Sequence, residues 1–514
     1  MPGHPRPTIS WKGLLILAGA AWGCGGADDQ SAPASSFLLT DVRIVDGTGA
    51  AAYQGAVRVH DGSIIETGDL SPRESEAVVD GAGLVLAPGF IDTHSHHDGG
   101  LADLRDATGA VSQGITTIVA GQDGSSPHPL GEFFTRLRGT PAAVNVASYV
   151  GHGSLREAVM GEDFRRLATD EEVDSMVTLL EAAMEDGALG LSTGLEYDPG
   201  IYSDTEEVLR LARVAARHGG RYISHMRSED RALDEAIEEL IRIGREADIP
   251  VQISHLKLAM KSLWGQADRI VDRLDRARAE GVDVTADVYP YEYWQSTMTV
   301  LFPARDFTDR EAAAFALRDL APPEGILFGR FSPEPSYVGK TLSEIAQLRG
   351  TDPVTTYLDL IAEVYPPSGP AGSESIIATS MDTDDVARLL RWEHANVASD
   401  GSLAGRHPRG FGSFTRVLRW LVREEGTLSL EEAVHKMTQI SARHVGITDR
   451  GVIAPGMAAD LVLFDPAVVT DRATPQEPNL VSEGIRGVWV NGVRVWTGTA
   501  PTGSFPGLVL PRGP

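Results

Sequence analysis

The sequence predicts an α/β protein: a (β/α)8 TIM-like barrel with a small β-sandwich domain built from both chain ends and an insertion between strands 7 and 8. Three observations support this. Eight short apolar runs ending in Gly, Pro or polar residues recur through the middle of the chain, most of them separated by amphipathic helical stretches. Both ends instead alternate apolar and polar residues around tight turns. The 514 residues suffice for one barrel of about 250 residues plus smaller attachments.

The strand-like runs are 84–96, 114–120, 143–150, 188–193, 221–225, 249–255, 282–289 and 396–400. Between them, 206–217, 234–247 and 266–280 place apolar residues at helical spacing, and Gly219-Gly220 is a good C-terminal stop. These segments assign 88–450 to the barrel. Residues 37–87 and 451–500 form the small β-domain, with hairpin signals at Asp61-Gly62 and Asn491-Gly492. About 110 residues separate the seventh and eighth strands, against about 30 in neighbouring units, so an insertion is expected at about 304–382.

Hydrophobic residues make up 42% and charged residues 23%, which argues against wholesale disorder. The net charge of −27 would repel phosphate backbones, so no nucleic-acid partner is expected. The chain starts with His4, Arg6 and Lys12, then an apolar run over 14–21, then Trp22-Gly23-Cys24. This resembles a bacterial lipoprotein signal over 1–23, with Cys24 taking the lipid and a flexible tether over 24–36. The expected location is the cell envelope, with a membrane contact only through that anchor. An ordinary secretory signal cut after Gly23, or a mis-chosen start codon, are the alternatives. Cys24 is the only cysteine, so no internal disulfide forms.

The chemistry concentrates at the strand ends. In Asp92-Thr93-His94-Ser95-His96-His97, residues two apart share a face, so His94 and His96 point together and His97 elsewhere. His225 ends the fifth strand and His255 the sixth, one βα unit apart, at the barrel face where catalytic groups gather. Neutral imidazoles on rigid neighbouring strands are what a transition metal needs. Asp400, in Ser399-Asp400-Gly401 at the eighth strand, can bind a metal and take a proton from its water. A hydrogen-bonded core histidine or a Ser-Asp-Gly turn would explain each alone. The set together favours a metal site.

The order His-x-His, His, His, Asp on strands 1, 5, 6 and 8 resembles the amidohydrolase superfamily. Further segments resemble its D-aminoacylase branch, the N-acyl-D-amino-acid deacylases: Ser192-Thr193-Gly194-Leu195, Ser224-His225-Met226-Arg227, Ser254-His255-Leu256-Lys257, Asp287-Val288-Tyr289-Pro290-Tyr291 and His407-Pro408-Arg409. The resemblance covers about 37–496. It implies hydrolysis of the amide bond of small N-acyl-D-amino acids, with one tightly bound Zn²⁺ and room for a second, weaker one. It implies that Lys257, Tyr289, Ser296 and Arg409 hold the substrate carboxylate or polarise its carbonyl.

The sequence departs from the branch after the second strand, where Asp123 stands in place of a metal-binding Cys. Carboxylate is a harder, weaker donor to zinc than thiolate. The expected ligands are therefore His94, His96, Asp123, His225, His255 and Asp400, with Asp400 also the proton carrier; an Asp-Gly turn is the plain alternative for Asp123. Residues 187–200 contain no Lys, which argues against the carboxylated-lysine bridge of cyclic-amidase relatives. A hydrolase of dipeptides or cyclic amides is the nearest rival, and a non-catalytic lipid-anchored binding protein is a different one.

Overall fold

The computed structural model describes residues 36–513, apart from 367, 368 and 370. The expected signal, Cys24 and all but the last residue of the tether lie outside the described residues. Among the described residues, no helix is long and apolar enough to cross a membrane.

Eight barrel strands run in parallel: β1 Phe90–Asp92, β2 Ile115–Ala120, β3 Asn145–Ser148 continued by Val150–Gly151, β4 Gly190–Gly194, β5 Arg221–His225, β6 Val251–Ile253, β7 Val284–Val288 and β8 Ala395–Val397. Neighbours pair in sequence order from β1 to β3 and from β3 to β8. The ring closes beyond β8, where Asp400 N–H donates to the His94 carbonyl at 2.8 Å and His96 N–H to the Gly401 carbonyl at 2.8 Å. The same two hydrogen bonds set Asp400 beside the histidines of the first strand. Each expected run contains a barrel strand, but the first, 84–96, is split: Val85–Pro88 joins the sheet built from the chain ends and only Phe90–Asp92 enters the barrel.

The helices follow from capping and periodicity. Thr205–Arg217 starts at Asp204, whose side chain accepts from Glu207 N–H, and it buries Val208, Leu211, Ala212 and Ala215 at three- and four-residue steps. Leu233–Ala247 and Ala267–Ala279, without a side-chain cap, repeat the apolar spacing and lie against their neighbours on the outside of the ring.

Both chain ends enter one eight-stranded sheet, in which Val85–Pro88 pairs antiparallel with Leu461–Phe464. The sheet curls over its own core. Phe37 and Trp489, from strands that are not neighbours, bring their rings to 6.0 Å, and they share a cluster with Val57, Leu86 and Leu461.

The insertion differs from expectation in its start. Tyr293–Ser296 already pairs with Glu374–Thr379, which pairs in turn with Ile326–Phe331, so the subdomain begins at Tyr293 rather than 304. The missing signal is the partner strand, which lies some eighty residues further on. The segment beyond 500, to which the sequence assigns no domain, also packs on the barrel. Leu508 and Leu510 exchange hydrogen bonds of 2.8 Å with Val146, and Leu510 packs on Ile91, Ala147, Tyr149 and Ile223 at the base of the barrel.

Candidate metal centre and its pocket

The six expected metal ligands converge at the C-terminal ends of the strands. His94 and His96 lie just past β1, Asp123 past β2, His225 ends β5, His255 follows β6 and Asp400 follows β8. Asp123, His255 and Asp400 have φ of 52°, 34° and 49°. Three non-glycine residues in the left-handed region within one cluster mark a backbone held in shape by its surroundings to aim side chains. His97 behaves as the strand period requires. It turns away, with Nδ1 at 2.6 Å from Ser95 Oγ, and burial lowers its pKa to about 4.

Asp123 stands between two donor groups. Its Oδ1 lies 3.4 Å from both His94 Nε2 and His255 Nε2, and its Oδ2 lies 3.3 Å from His96 Nε2. Asp400 Oδ1 lies 3.6 Å from His94 Nε2 and 3.2 Å from His96 Nε2, while His225 Nδ1 and His255 Nε2 are 2.9 Å apart. Among these six residues two sets result, His94–His96–Asp123–Asp400 and Asp123–His225–His255, sharing one carboxylate, and His225 also belongs to a third with Glu196 and Glu229.

These residues fit a metal. Donors on tetrahedral bonds of about 2.1 Å stand about 3.4 Å apart, which is the spacing around Asp123. Both ring nitrogens of the fully buried His94, Asp123 Oδ1 and Asp400 Oδ1 have no hydrogen-bond partner, which is costly unless another ligand satisfies them. The charges agree. Burial alone would lower His94, but Asp123, Asp287 and Asp400 hold it well above the usual histidine range. His96 is pushed up to about 9 in the same way, against burial, by Asp123 and Asp400. The cluster thus draws positive charge to its centre, as protons or as a cation.

The outer ring of contacts contains residues that sequence reasoning missed. Glu196 Oε2 lies 3.0 Å from His225 Nε2, on the other side of the ring from Nδ1, which faces His255. Glu229 lies 2.9 Å from His255 Nδ1 and accepts from Lys257 Nζ at 2.6 Å. Asp287 accepts the His255 backbone N–H at 2.7 Å and the Gln252 amide at 2.6 Å, and stands 3.5 Å from His94 Nδ1. Asp287 and Glu196 both sit in or next to the quoted segments, but nothing in spacing separates them from the chain's many other acids.

The four expected substrate residues also meet. Lys257, Tyr289, Ser296 and Arg409 line one inner pocket of about 40 Å³ together with His225, His255 and Asp400. It adjoins a cavity of about 630 Å³ whose wall includes His96, Asp123, Ser296, Arg305 and Arg409. Lys257 and Arg409 stand over the Tyr289 ring at 5.8 and 5.0 Å. Arg409 has a role that was not foreseen: its Nη1 pairs with Asp400 Oδ2 at 2.6 Å, so it positions the acid as well as facing the pocket.

Comparison with known proteins agrees with this geometry. The model of the family described as "Amidohydrolase family" matches residues 77–326 and 330–496. D-aminoacylase of Alcaligenes xylosoxydans xylosoxydans is 38% identical, over 93% of this chain and 97% of that protein. N-acyl-D-aspartate deacylase of the same organism is 39% identical, over 95% and 97%. The crystal structure of N-acyl-D-glutamate deacylase from Bordetella bronchiseptica, complexed with zinc and a phosphonate mimic of the tetrahedral intermediate, superposes with a TM-score of 0.82 at 36% identity, covering 92% of this chain and 99% of that one. On the family match, the relatives and the metal-binding geometry together, the chain belongs to the amidohydrolase family.

Proposed function

We propose that the protein hydrolyses the amide bond of N-acyl-D-amino acids, releasing a carboxylic acid and a free D-amino acid, with zinc as its metal. The observation behind this is the pair of donor sets meeting at Asp123, set beside a pocket lined by the cations Lys257 and Arg409. An N-acyl amino acid presents one carboxylate and one amide, and this site offers a partner for each. Relatives named for N-acyl-D-amino acids, one of them solved with zinc, support the same substrate class.

His225, His255 and Asp123 would hold the tighter ion, and His94 and His96, with Asp123 and Asp400, a weaker second. When bound, the metal supplies an acidified water and a polarised scissile carbonyl. Asp400 Oδ1, turned to the cluster, takes a proton from the attacking water and delivers it to the amine as the C–N bond breaks. Arg409 fixes the other oxygen of Asp400. Lys257, Tyr289 and Ser296 orient the substrate carboxylate.

A panel of N-acetyl-D- and N-acetyl-L-amino acids, dipeptides and cyclic amides, assayed with added zinc, tests the reading. Turnover is expected on the D-amino acid derivatives, and Asp400→Asn should lower kcat by roughly 10²–10⁴-fold with the tighter metal kept. Asn suits the comparison because it tolerates the left-handed backbone at this position. Faster turnover of dipeptides or cyclic amides would overturn the assignment.

A further inference from the structure

A second cavity, of about 430 Å³, opens at the opposite end of the barrel from the metal cluster. Its wall is built where strands begin: Arg221 is the first residue of β5, Val251 the first of β6, and Asp283 precedes β7. Arg221 is four residues from His225, so the cavity and the metal cluster are separated by about 13 Å of extended strand.

The wall is cationic in a strongly acidic protein. It contains Arg221, Arg278 and Arg443 against a single carboxylate, Asp283. Arg278 is satisfied, donating to Asp283 at 2.8 Å and to the Val284 carbonyl. The side chains of Arg221 and Arg443 make no hydrogen bond or ion pair among the described residues. With a formal charge of −27 on the chain acids are abundant, yet neither arginine forms an ion pair among the described residues.

An independent observation points the same way. Tyr149 lines the cavity from β3's side; it is fully buried and its hydroxyl has no hydrogen-bond partner. A buried hydroxyl left without a partner costs stability unless a ligand meets it. His444, also in the wall, is held well below the usual histidine range by burial and then by the positive charges of Arg443 and Arg221. His444 Nδ1 is engaged with Asn396 Oδ1 at 2.8 Å, so Nε2 is the nitrogen left for the cavity.

We infer that this cavity at the base of the barrel binds a small, doubly charged oxyanion of the inorganic phosphate or sulfate type, held by Arg221 and Arg443 with the Tyr149 hydroxyl as a neutral donor. Two guanidinium groups present planar paired donors to such an anion, and one uncharged donor from the interior fixes its depth. The site spans β5 and the helix Gln439–Val445, so an occupant ties that helix to the barrel base.

The test is calorimetric titration of the metal-loaded full chain with inorganic phosphate at fixed ionic strength, with sodium chloride as the control. Saturable binding is expected. Arg443→Gln, at an exposed position where folding is not at risk, and Arg221→Gln should each weaken it by at least about tenfold. Tyr149→Phe keeps the ring and should weaken it a few-fold. Phosphate can also be drawn to the catalytic pocket, so Arg409→Gln serves as the locating variant and should leave this binding unchanged. No saturable heat beyond the chloride control, or affinity unchanged in both Arg221→Gln and Arg443→Gln, or binding lost only in Arg409→Gln, would each overturn the inference. None of these outcomes bears on hydrolysis at the metal cluster.

Discussion

Removing the Glu196 carboxylate should loosen the tighter metal without touching a ligand. Its Oε2 lies 3.0 Å from His225 Nε2, on the far side of the ring from the nitrogen that faces His255. Loss of a carboxylate that orients a metal-bound histidine weakens metal affinity by about 10–100-fold, or about 1.4–2.8 kcal/mol. The position of each variant within that range follows from the surroundings. Glu196→Gln still presents an amide oxygen to the imidazole, and Glu229 stands 4.0 Å from the same nitrogen as a partial substitute, so the loss should be near tenfold. Glu196→Ala leaves only Glu229 and frees the ring to turn, so the loss should approach a hundredfold. Titrating chelator-stripped protein with zinc, against a chromophoric chelator, measures both. If both variants bind zinc within about threefold of the wild type, His225 is oriented by something other than Glu196.

Three further outcomes are expected. Asp123→Asn, tolerated by the left-handed backbone, should reduce metal content and activity together, while Asp123→Cys keeps metal; full metal content in the Asn variant at matched folded fraction would make Asp123 a turn residue. Glu374 is buried, accepts from Met298 N–H at 2.8 Å and Tyr365 Oη at 3.0 Å, and burial pushes its pKa up to about 7. Because the folded state holds this proton more tightly than the unfolded chain, stability should fall by up to about 3 kcal/mol as pH rises from about 4.5 through 7, and level off above. Glu374→Gln should flatten that slope in urea unfolding at pH 5 and 8, and an unchanged slope would refute the assignment. If Cys24 is the lipid-bearing residue, metabolic labelling with a fatty-acid probe marks the wild type and not Cys24→Ala; an unlabelled wild type refutes it.

The clustering of the expected ligands was legible because strands impose a simple rule. His94 and His96 two apart, and His225 and His255 one βα unit apart, can only face the same mouth once the barrel is inferred. Glu196 and Glu229 were not legible, because each meets its histidine across a gap between loops in a chain rich in acids. Arg409 was legible as a pocket residue but not as the partner of Asp400, since the pairing depends on how the helix Arg409–Val417 enters the mouth. The start at Tyr293 was hidden for another reason: a four-residue strand whose partner is Glu374–Thr379 has no local pattern of its own.

The pairing of Val85–Pro88 with Leu461–Phe464 bears on how the molecule is made. The two segments are separated by the entire barrel, so the small sheet must wait for the chain to be synthesised almost to its end. Contacts at such sequence distance are slow to form, because the closure entropy comes before any gain from pairing. The barrel strands from β1 to β7, each joined to the next by a short helical connection, can pair earlier. Until residues 461–496 emerge, the apolar face over Leu39, Val57 and Leu86 stays uncovered, and that nascent surface is open to misassociation.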